Sequence, residues 1–464
     1  MRNCNNLRRT MGVVAMLPLA SSVVAAPQGE RPNILIIFTD DQGYGDLECM
    51  GNTCHKTPTL NRLAEEGSLF TECYAQHVSG ASRSALLTGR YPLRSGGFDM
   101  PADETTFAEL LQGVGYQTAA IGKWDVSNRK PIEGRVPNDQ GFDYYYGTLG
   151  ANDGGKAQMY DNREMDVMVK DMSIFSKLYT DKAIDYLENR RSDDSPFLLY
   201  VAHTMLHSRV GVSKEYSGTT HGSLYGDALY ELDTEIGRLI AKLDELGLRD
   251  DTIIIYMTDN GPWCQYTYRS YTAKYYAPGQ IYWGTPGVLR DGKGSAYEGG
   301  AKTPCIISWR GHTAEGVRKD GLMATIDFMP TFASVCGFEI PSDVVIDGVD
   351  QSKFFFSKST KSARKEYSYM HVEIPGKNLM SDFVAVRDSR WKLLIPGRQP
   401  ETKHKFMTDF GTNDYELYDL RNDPGETTNL IDKYPKVAER LKLQHKAMYD
   451  SFVPDHAKLY GEME

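Results

Sequence analysis

The chain has 464 residues, 41% of them hydrophobic, enough for one large core and a smaller second unit. Its formal net charge of −10 excludes generalised nucleic-acid binding and leaves room only for a local basic pocket. Beyond the N-terminus no stretch is long and apolar enough to span a bilayer.

Residues 1–25 read as an export signal. Arg2, Arg8 and Arg9 are followed by the apolar run Met11 to Ala20, and Val23, Ala25 and Ala26 suit cleavage after Ala25. The run is too short for an anchor, and Cys4 lies ahead of it, not at a lipidation position. Export permits disulfides among Cys49, Cys54, Cys73, Cys264, Cys305 and Cys336, and none to two bridges are expected. No C-x-x-C or Cys/His cluster suggests zinc.

Asn33 to Phe38 (N-I-L-I-I-F) has the near-continuous apolarity of a strand buried on both faces in a largely parallel sheet. It runs into Thr39-Asp40-Asp41, which reads either as a turn helped by Gly43 and Gly45 or as a carboxylate pair for a cation. Thr57-Pro58 predicts a helix start capped by Thr57, with Leu60, Leu63 and Ala64 as its apolar face. Phe70 to Ala75 reads as a short strand leading to Ser79–Gly89, S-G-A-S-R-S-A-L-L-T-G. There a hydroxyl (Ser79), an arginine (Arg83) and free N–H groups at a helix start could handle a tetrahedral anion, or serve ordinary capping.

Thr106 and Glu109 have capping-box spacing. Gln117 to Ile121 predicts a strand running into Gly122-Lys123-Trp124-Asp125, and Thr148 to Met172 an irregular loop on the substrate side. The strand Pro196 to Ala202 ends in H-T-M-L-H; His203 and His207 lack the glutamate of a zinc-protease motif. Leu224 to Leu246 has helical apolar spacing with Gly247 as its stop, and Thr252 to Met257 is a buried strand entering Thr258-Asp259-Asn260-Gly261-Pro262. Gly292-Lys293-Gly294-Ser295 with Tyr297-Glu298-Gly299-Gly300 is glycine-rich but not a Walker loop. Ser357 to Glu366, with Lys358, Lys361, Arg364 and Lys365, reads as a solvated linker to a smaller domain. Phe383–Arg387 and Trp391–Ile395 predict a hairpin, and Pro435 to about Met448 a final amphipathic helix.

Taken in order, T-D-D-Q-G-Y-G-D, the Ser79 signature, G-K-W-D, T-D-N-G-P and G-K-G-x-x-Y-E-G-G resemble the motifs of the formylglycine-dependent sulfatases, over roughly Arg31 to Met448. The resemblance implies an alkaline-phosphatase-like α/β fold: a large, mostly parallel or mixed sheet between helices (26–360), then a smaller α+β subdomain with an antiparallel sheet (361–464). It implies one Ca²⁺ held by Asp40, Asp41, Ser79, Asp259 and Asn260. It implies that Ser79 is oxidised to formylglycine, with Arg83 orienting it, Lys123 and Lys293 neutralising sulfate, and His207 as general acid. Asp125 stands where the family has a histidine, and is expected to assist as a proton acceptor.

A serine at position 79 resembles the substrates of anaerobic radical maturation enzymes, which implies such an enzyme as partner and an exported, periplasmic bacterial protein. Aromatic residues such as Trp263, Tyr266, Tyr268, Tyr271, Tyr275, Tyr276, Tyr282 and Trp283 suit sugar rings. The expected activity is hydrolysis of sulfate esters on a sulfated saccharide, exo-acting on host glycosaminoglycan or mucin-type glycans. The alternatives are a phosphate- or phosphonate-ester hydrolase of the same superfamily and, given Asp125, a catalytically weak sulfated-glycan-binding protein.

Overall fold

All seven residues of strand β1 (Asn33–Thr39) are buried, because the strand lies in the middle of a large sheet covered on both faces. The computed structural model describes residues 31–190, 194–220, 223–264, 280–371, 382–396, 412 and 414–460. The other strands of this sheet are β2 (Ser68–Tyr74), β3 (Gln117–Lys123), β4 (Tyr144–Thr148), β5 (Ala157–Asp161) and β6 (Glu164–Val169). They continue with β7 (Phe197–Ala202), β8 (Thr252–Thr258), β9 (Lys302–Ser308), β10 (Val317–Lys319) and β11 (Met323–Ala324). Their order is β10-β2-β9-β8-β1-β7-β3-β4-β5-β6, with β11 also on β2. The centre is parallel: β8, β1, β7, β3 and β4 run the same way. β9 and β5 run against their neighbours.

Helices alternate with the strands: α1 (Pro58–Glu65), α2 (Ser79–Thr88), α3 (Pro92–Ser95), α4 (Phe107–Gly113), α5 (Phe175–Asn189), α6 (Leu224–Glu245), α7 (Glu298–Ala301), α8 (Phe328–Cys336), α9 (Ser352–Phe355) and α10 (Pro435–Tyr460). The two-residue period of β1 sorts its side chains between two cores. Ile34, Ile36 and Phe38 join Leu86 and Leu87 of α2, Phe107 of α4 and Phe328 of α8. Leu35 and Ile37 join Leu63 of α1, Phe175 of α5 and Leu232 of α6. The expected sandwich is therefore present.

Several local expectations are corrected. Thr57 does not cap α1; its Oγ1 accepts from Glu48 N at 3.1 Å. The cap comes from Asp233 of α6, whose two oxygens accept from the N–H groups of Thr59 and Leu60, each at 2.9 Å. Thr148–Met172 is not wholly irregular: β5 and β6 form a hairpin turned at Asn162, a residue that tolerates its left-handed φ of 53°. Ala157 and Met159 face the core, while most of β6 is exposed as the sheet edge. Six cysteines, Cys49, Cys54, Cys73, Cys264, Cys305 and Cys336, carry free thiols.

A second, antiparallel sheet has the order β12 (Glu366–His371), β13 (Asp382–Asp388), β14 (Trp391–Leu394), β15 (Glu416–Asp419). The expected hairpin is β13–β14, its turn tied by Asp388 Oδ1, which accepts from Arg390 N and Trp391 N at 2.7 Å each. Tyr367 and Tyr369 of β12 pack on Tyr74 of β2, so one aromatic core joins the two sheets. α10 runs past the expected end because Phe452 is buried against Tyr91 and lies under the Arg94 guanidinium, 3.9 Å from its ring centre. The segment expected to be solvated contains a buried Arg364, whose Nε bonds both oxygens of Asp327 at 2.9 and 3.0 Å. No described helix is long and apolar enough to cross a membrane. The export signal and Tyr266, Tyr268, Tyr271, Tyr275 and Tyr276 lie outside the described residues.

Candidate active site

Parallel strands deliver their C-terminal ends to one edge of a sheet, and that edge holds the site. Thr39 of β1 pairs with Thr258 of β8, so the next residues, Asp40 and Asp41 on one strand and Asp259 and Asn260 on the other, adjoin. Asp41 N donates to Asp259 Oδ1 at 3.2 Å, and Asn260 Nδ2 to Asp41 Oδ1 at 2.7 Å. Asp41 has a φ of 57°, which turns the chain out of the strand.

Ser79 is the first residue of α2, a helix whose ten residues are all buried. Its hydroxyl donates to Asp259 Oδ2 at 2.5 Å and accepts from Arg83 Nε at 2.9 Å, one helical turn on. Val78, not Ser79, occupies the cap position and makes no side-chain capping bond, which removes the ordinary-capping reading. Arg83 also reaches Asp259 Oδ2 at 2.9 Å, Asp40 Oδ2 at 3.4 Å and the Lys123 carbonyl at 2.9 Å. Burial weakens its charge, but Tyr200, Asp259, Asp40 and Asp125 more than restore it, so the guanidinium stays protonated. Gly80 is required here, since a Cβ would fall 2.1 Å from the Phe98 ring. Sequence reasoning missed Ser82, whose hydroxyl bonds the Asp259 carbonyl and accepts from Gln76 N at 2.9 Å, locking the approach to Ser79.

Three buried oxygens in this cluster, Asp40 Oδ1, Asp41 Oδ2 and Asn260 Oδ1, have no hydrogen-bond partner. Unpaired buried oxygens are costly, and two carboxylate oxygens with one amide oxygen fit a hard divalent cation. Ligand atoms of Asp40, Asp41 and His207 lie within 4.8 Å of one another, a buried group that could hold a metal. Burial pushes Asp41 up to about 7; Lys293 opposes this, and Asp40 and Asp259 reinforce it.

Both expected lysines reach the cluster. Lys123, at the end of β3, donates to Asp40 Oδ2 at 2.6 Å, and Lys293 to Asp41 Oδ1 at 2.5 Å. Burial works against the Lys123 charge, while Asp40 and Asp125 raise it above its ordinary value. His207 Nε2 lies 3.6 Å from Asp41 and 3.4 Å from Asp153. Burial, then Lys293, holds this imidazole well below its ordinary value against the pull of Asp153, so it is neutral at neutral pH. Trp263 packs on His207 with ring centres 5.0 Å apart, and Lys293 Nζ sits 4.7 Å from the Trp263 ring centre. His203 stays out of the cluster, edge-on to Tyr179, and burial lowers it to about 3.

Asp125 is wholly buried and points at two cations: Arg129 Nε at 2.8 Å and Lys123 Nζ at 3.3 Å. Burial alone would raise it; Arg129, Lys123 and Arg83 together hold it well below the carboxylate range. An ion-paired carboxylate of that kind is a weak base. Arg129 and Asp153 were missed because both sit in loops without a motif, and only the fold brings them to the pocket.

A family model described as Sulfatase matches residues 32–338, and one described as N-sulphoglucosamine sulphohydrolase, C-terminal, matches residues 291–450. The chain is 30% identical to arylsulfatase A of Homo sapiens over 92% of this chain and 89% of that protein. It is 32% identical to N-acetylgalactosamine-6-sulfatase of Mus musculus, covering 71% of this chain and 67% of that one. The crystal structure of a sulfatase from Pseudoalteromonas sp. superposes with a TM-score of 0.77 at 26% identity, covering 94% and 92% of the two chains. With the strand-end carboxylates, the Ser79–Arg83 pair and the two lysines gathered at one edge, the family match has a physical counterpart: the chain belongs to the sulfatase family, hydrolases of sulfate esters.

Proposed function

We propose that the chain hydrolyses sulfate esters on carbohydrates, exo-acting on glycosaminoglycan or mucin-type glycans, with residue 79 as its catalytic centre. The observation that carries this is the Ser79 hydroxyl, held at 2.5 Å from Asp259 and 2.9 Å from Arg83 beside three unpartnered buried oxygens. The N-acetylgalactosamine-6-sulfatase similarity and Trp263 beside His207 support a sugar substrate.

Asp40, Asp41, Asp259 and Asn260 would hold Ca²⁺ together with residue 79, and His207 borders the same cluster. Bound there, the cation supplies Lewis-acid polarisation of a sulfate oxygen, and formylglycine at position 79 supplies a nucleophile stronger than serine. Arg83 orients the oxygen of residue 79. Lys123 and Lys293 stabilise charge on the sulfate oxygens, where preorganised cations act most strongly out of water. Lys293 is the ammonium placed to give a proton to the departing oxygen, while the neutral imidazole of His207 carries only a very weakly acidic N–H, which weighs against its expected general-acid role. Asp125 contributes by fixing Lys123 and Arg129, and its ion pairs weigh against the expected proton-accepting role.

Maturation of Ser79 by an anaerobic radical enzyme and export to the periplasm belong to the same reading. Intact-mass analysis of the residue 79 peptide checks the modification: oxidation of serine to the aldehyde removes two hydrogens. Paired assays on sulfated and phosphorylated sugars then decide the activity. Faster sulfate release supports it, and faster phosphate release or binding without turnover refutes it.

A further inference from the structure

Arg129 stands at the solvent side of the charged cluster. Its side chain is 48% exposed, although it bonds the wholly buried Asp125 through Nε at 2.8 Å. Its Nη1 reaches Asp153 at 3.1 Å, and Asp153 in turn lies 3.4 Å from His207 Nε2. Among the described residues no other group hydrogen-bonds this guanidinium, so Asp125 and Asp153 take two of its five N–H donors. Its stem lies along Gly150, where a Cβ would come within 3.4 Å of Arg129 Cβ. The loop that carries it holds Asp125, Asn128 and Arg129 at φ of 57°, 52° and 58°. Asp125 and Asn128 are residue types that tolerate the left-handed region, so Arg129 is the one whose φ is unusual for its side chain.

We propose that Arg129, oriented by Asp125, is a specificity-determining residue that binds a second anionic group, a carboxylate or another sulfate, on the saccharide whose sulfate ester is cut. This rests on the sulfatase reading above. Lys123 and Lys293 are committed to the buried floor through Asp40 and Asp41. Arg129 lies one ion pair further out and therefore meets substrate atoms beyond the reacting sulfate. A planar guanidinium matches a carboxylate or sulfate edge with paired hydrogen bonds, which an ammonium cannot. A role confined to neutralising Asp125 leaves two features without a reason: Lys123 already stands 3.3 Å from that carboxylate, and a counterion needs no exposed face.

The test uses the full-length matured enzyme with Ca²⁺ and three sulfated disaccharides: one with a neutral neighbour, one with a uronate, one with a second sulfate. Wild type should favour one of the dianionic pair, and which one identifies the group. In R129A that preference, as a ratio of kcat/KM values, should fall about 30-fold, mainly through KM. R129K should recover only part of it. The double variant D125N/R129A removes the stranded carboxylate as well and should show the same lost preference, which keeps the test valid if R129A folds poorly. Equal losses on all three substrates, or an unchanged preference in the double variant, would overturn the assignment of Arg129 alone. Wild-type enzyme silent on all three would overturn the sulfatase reading itself.

Discussion

Glu298 and Lys392 meet at 3.1 Å with both side chains fully buried, one at the head of α7 and the other on β14 of the small sheet. Glu298 belongs to the same glycine-rich stretch as Lys293, so this contact couples the C-terminal sheet to the loop that carries a proposed sulfate ligand. Around it lie Glu426, 2.8 Å from Lys392 Nζ, Arg387 at 3.6 Å from Glu298, and the Tyr369 hydroxyl, which bonds Glu298. Burial would raise Glu298, but Lys392, Arg387 and Lys302 outweigh it and hold it at about 2.

K392M should therefore cost about 3–5 kcal/mol, because it removes the cation between two buried carboxylates and leaves Glu426 with none among the described residues. Chemical denaturation followed by tyrosine and tryptophan fluorescence measures this. A loss under 1 kcal/mol would mean that the small sheet is not held through this network.

Glu426 gives the same network a pH dependence. Burial pushes its carboxyl up to about 7 from an ordinary 4.5, with Lys392 opposing and Glu298 reinforcing. A raised acid binds its proton more tightly when folded. Its contribution to stability is complete below pH 4.5 and is lost as the pH climbs to 7, by about 2–3 kcal/mol. Glu298, held low, has the opposite slope, but in the separate window between about pH 2 and 4.5. E426Q should flatten the fall in Tm between pH 4.5 and 7.5 that wild type shows. Parallel profiles for the two proteins would refute the shift.

Removal of divalent cations should abolish sulfate release and lower Tm, since a saturating ligand stabilises the folded state by about 3–4 kcal/mol at 100 to 1,000 times its Kd. Added Ca²⁺ should restore both. D40N should need roughly 100-fold more Ca²⁺ for half-recovery, because it removes charge from the unpartnered oxygens. Calorimetric titration separates this from a fold defect, and full activity in excess chelator would sink the metal site.

R83K keeps the charge at the base of the cluster but loses the fork that joins Ser79, Asp259 and Asp40. Sulfate release should fall about 100-fold in kcat, with KM nearly unchanged. A loss confined to KM would place Arg83 in ground-state binding instead.

The centre of this site was legible in the chain because its chemistry sits at strand ends. A buried strand that runs into Asp40-Asp41, and another into Asp259-Asn260, marks one sheet edge, and parallel pairing brings the two together. Lys123 follows the same logic at the end of β3. The residues that escaped are those placed by long-range contact. Arg129 and Asp153 are 24 positions apart and meet only when β4 pairs with β3. Arg364 looks like one charge in a basic linker until Asp327, 37 residues earlier at the start of α8, is seen beneath it. The β5–β6 hairpin escaped because its strands are short and the edge strand β6 leaves Met165, Val167 and Met168 exposed, so no core-facing alternation marks it in the sequence.

The cap of α1 offers a compact check on that lesson, since Thr57 has the right local position and Asp233, 174 residues from Thr59, makes the bonds. D233A should lose both acceptors to the Thr59 and Leu60 N–H groups and cost about 1–2 kcal/mol. Burial lifts Asp233 to about 6, above an ordinary 3.8, with the two backbone N–H groups opposing. Ionising it in the folded protein therefore erodes stability between about pH 3.8 and 6. D233N keeps one acceptor but turns an NH2 donor toward the other backbone N–H, so at pH 5 its Tm should fall between wild type and D233A, and the gap to wild type should narrow at pH 7.5, where wild type carries the buried charge. A D233N loss as large as that of D233A would show that one acceptor alone contributes nothing and that the paired carboxylate oxygens anchor α1 to α6.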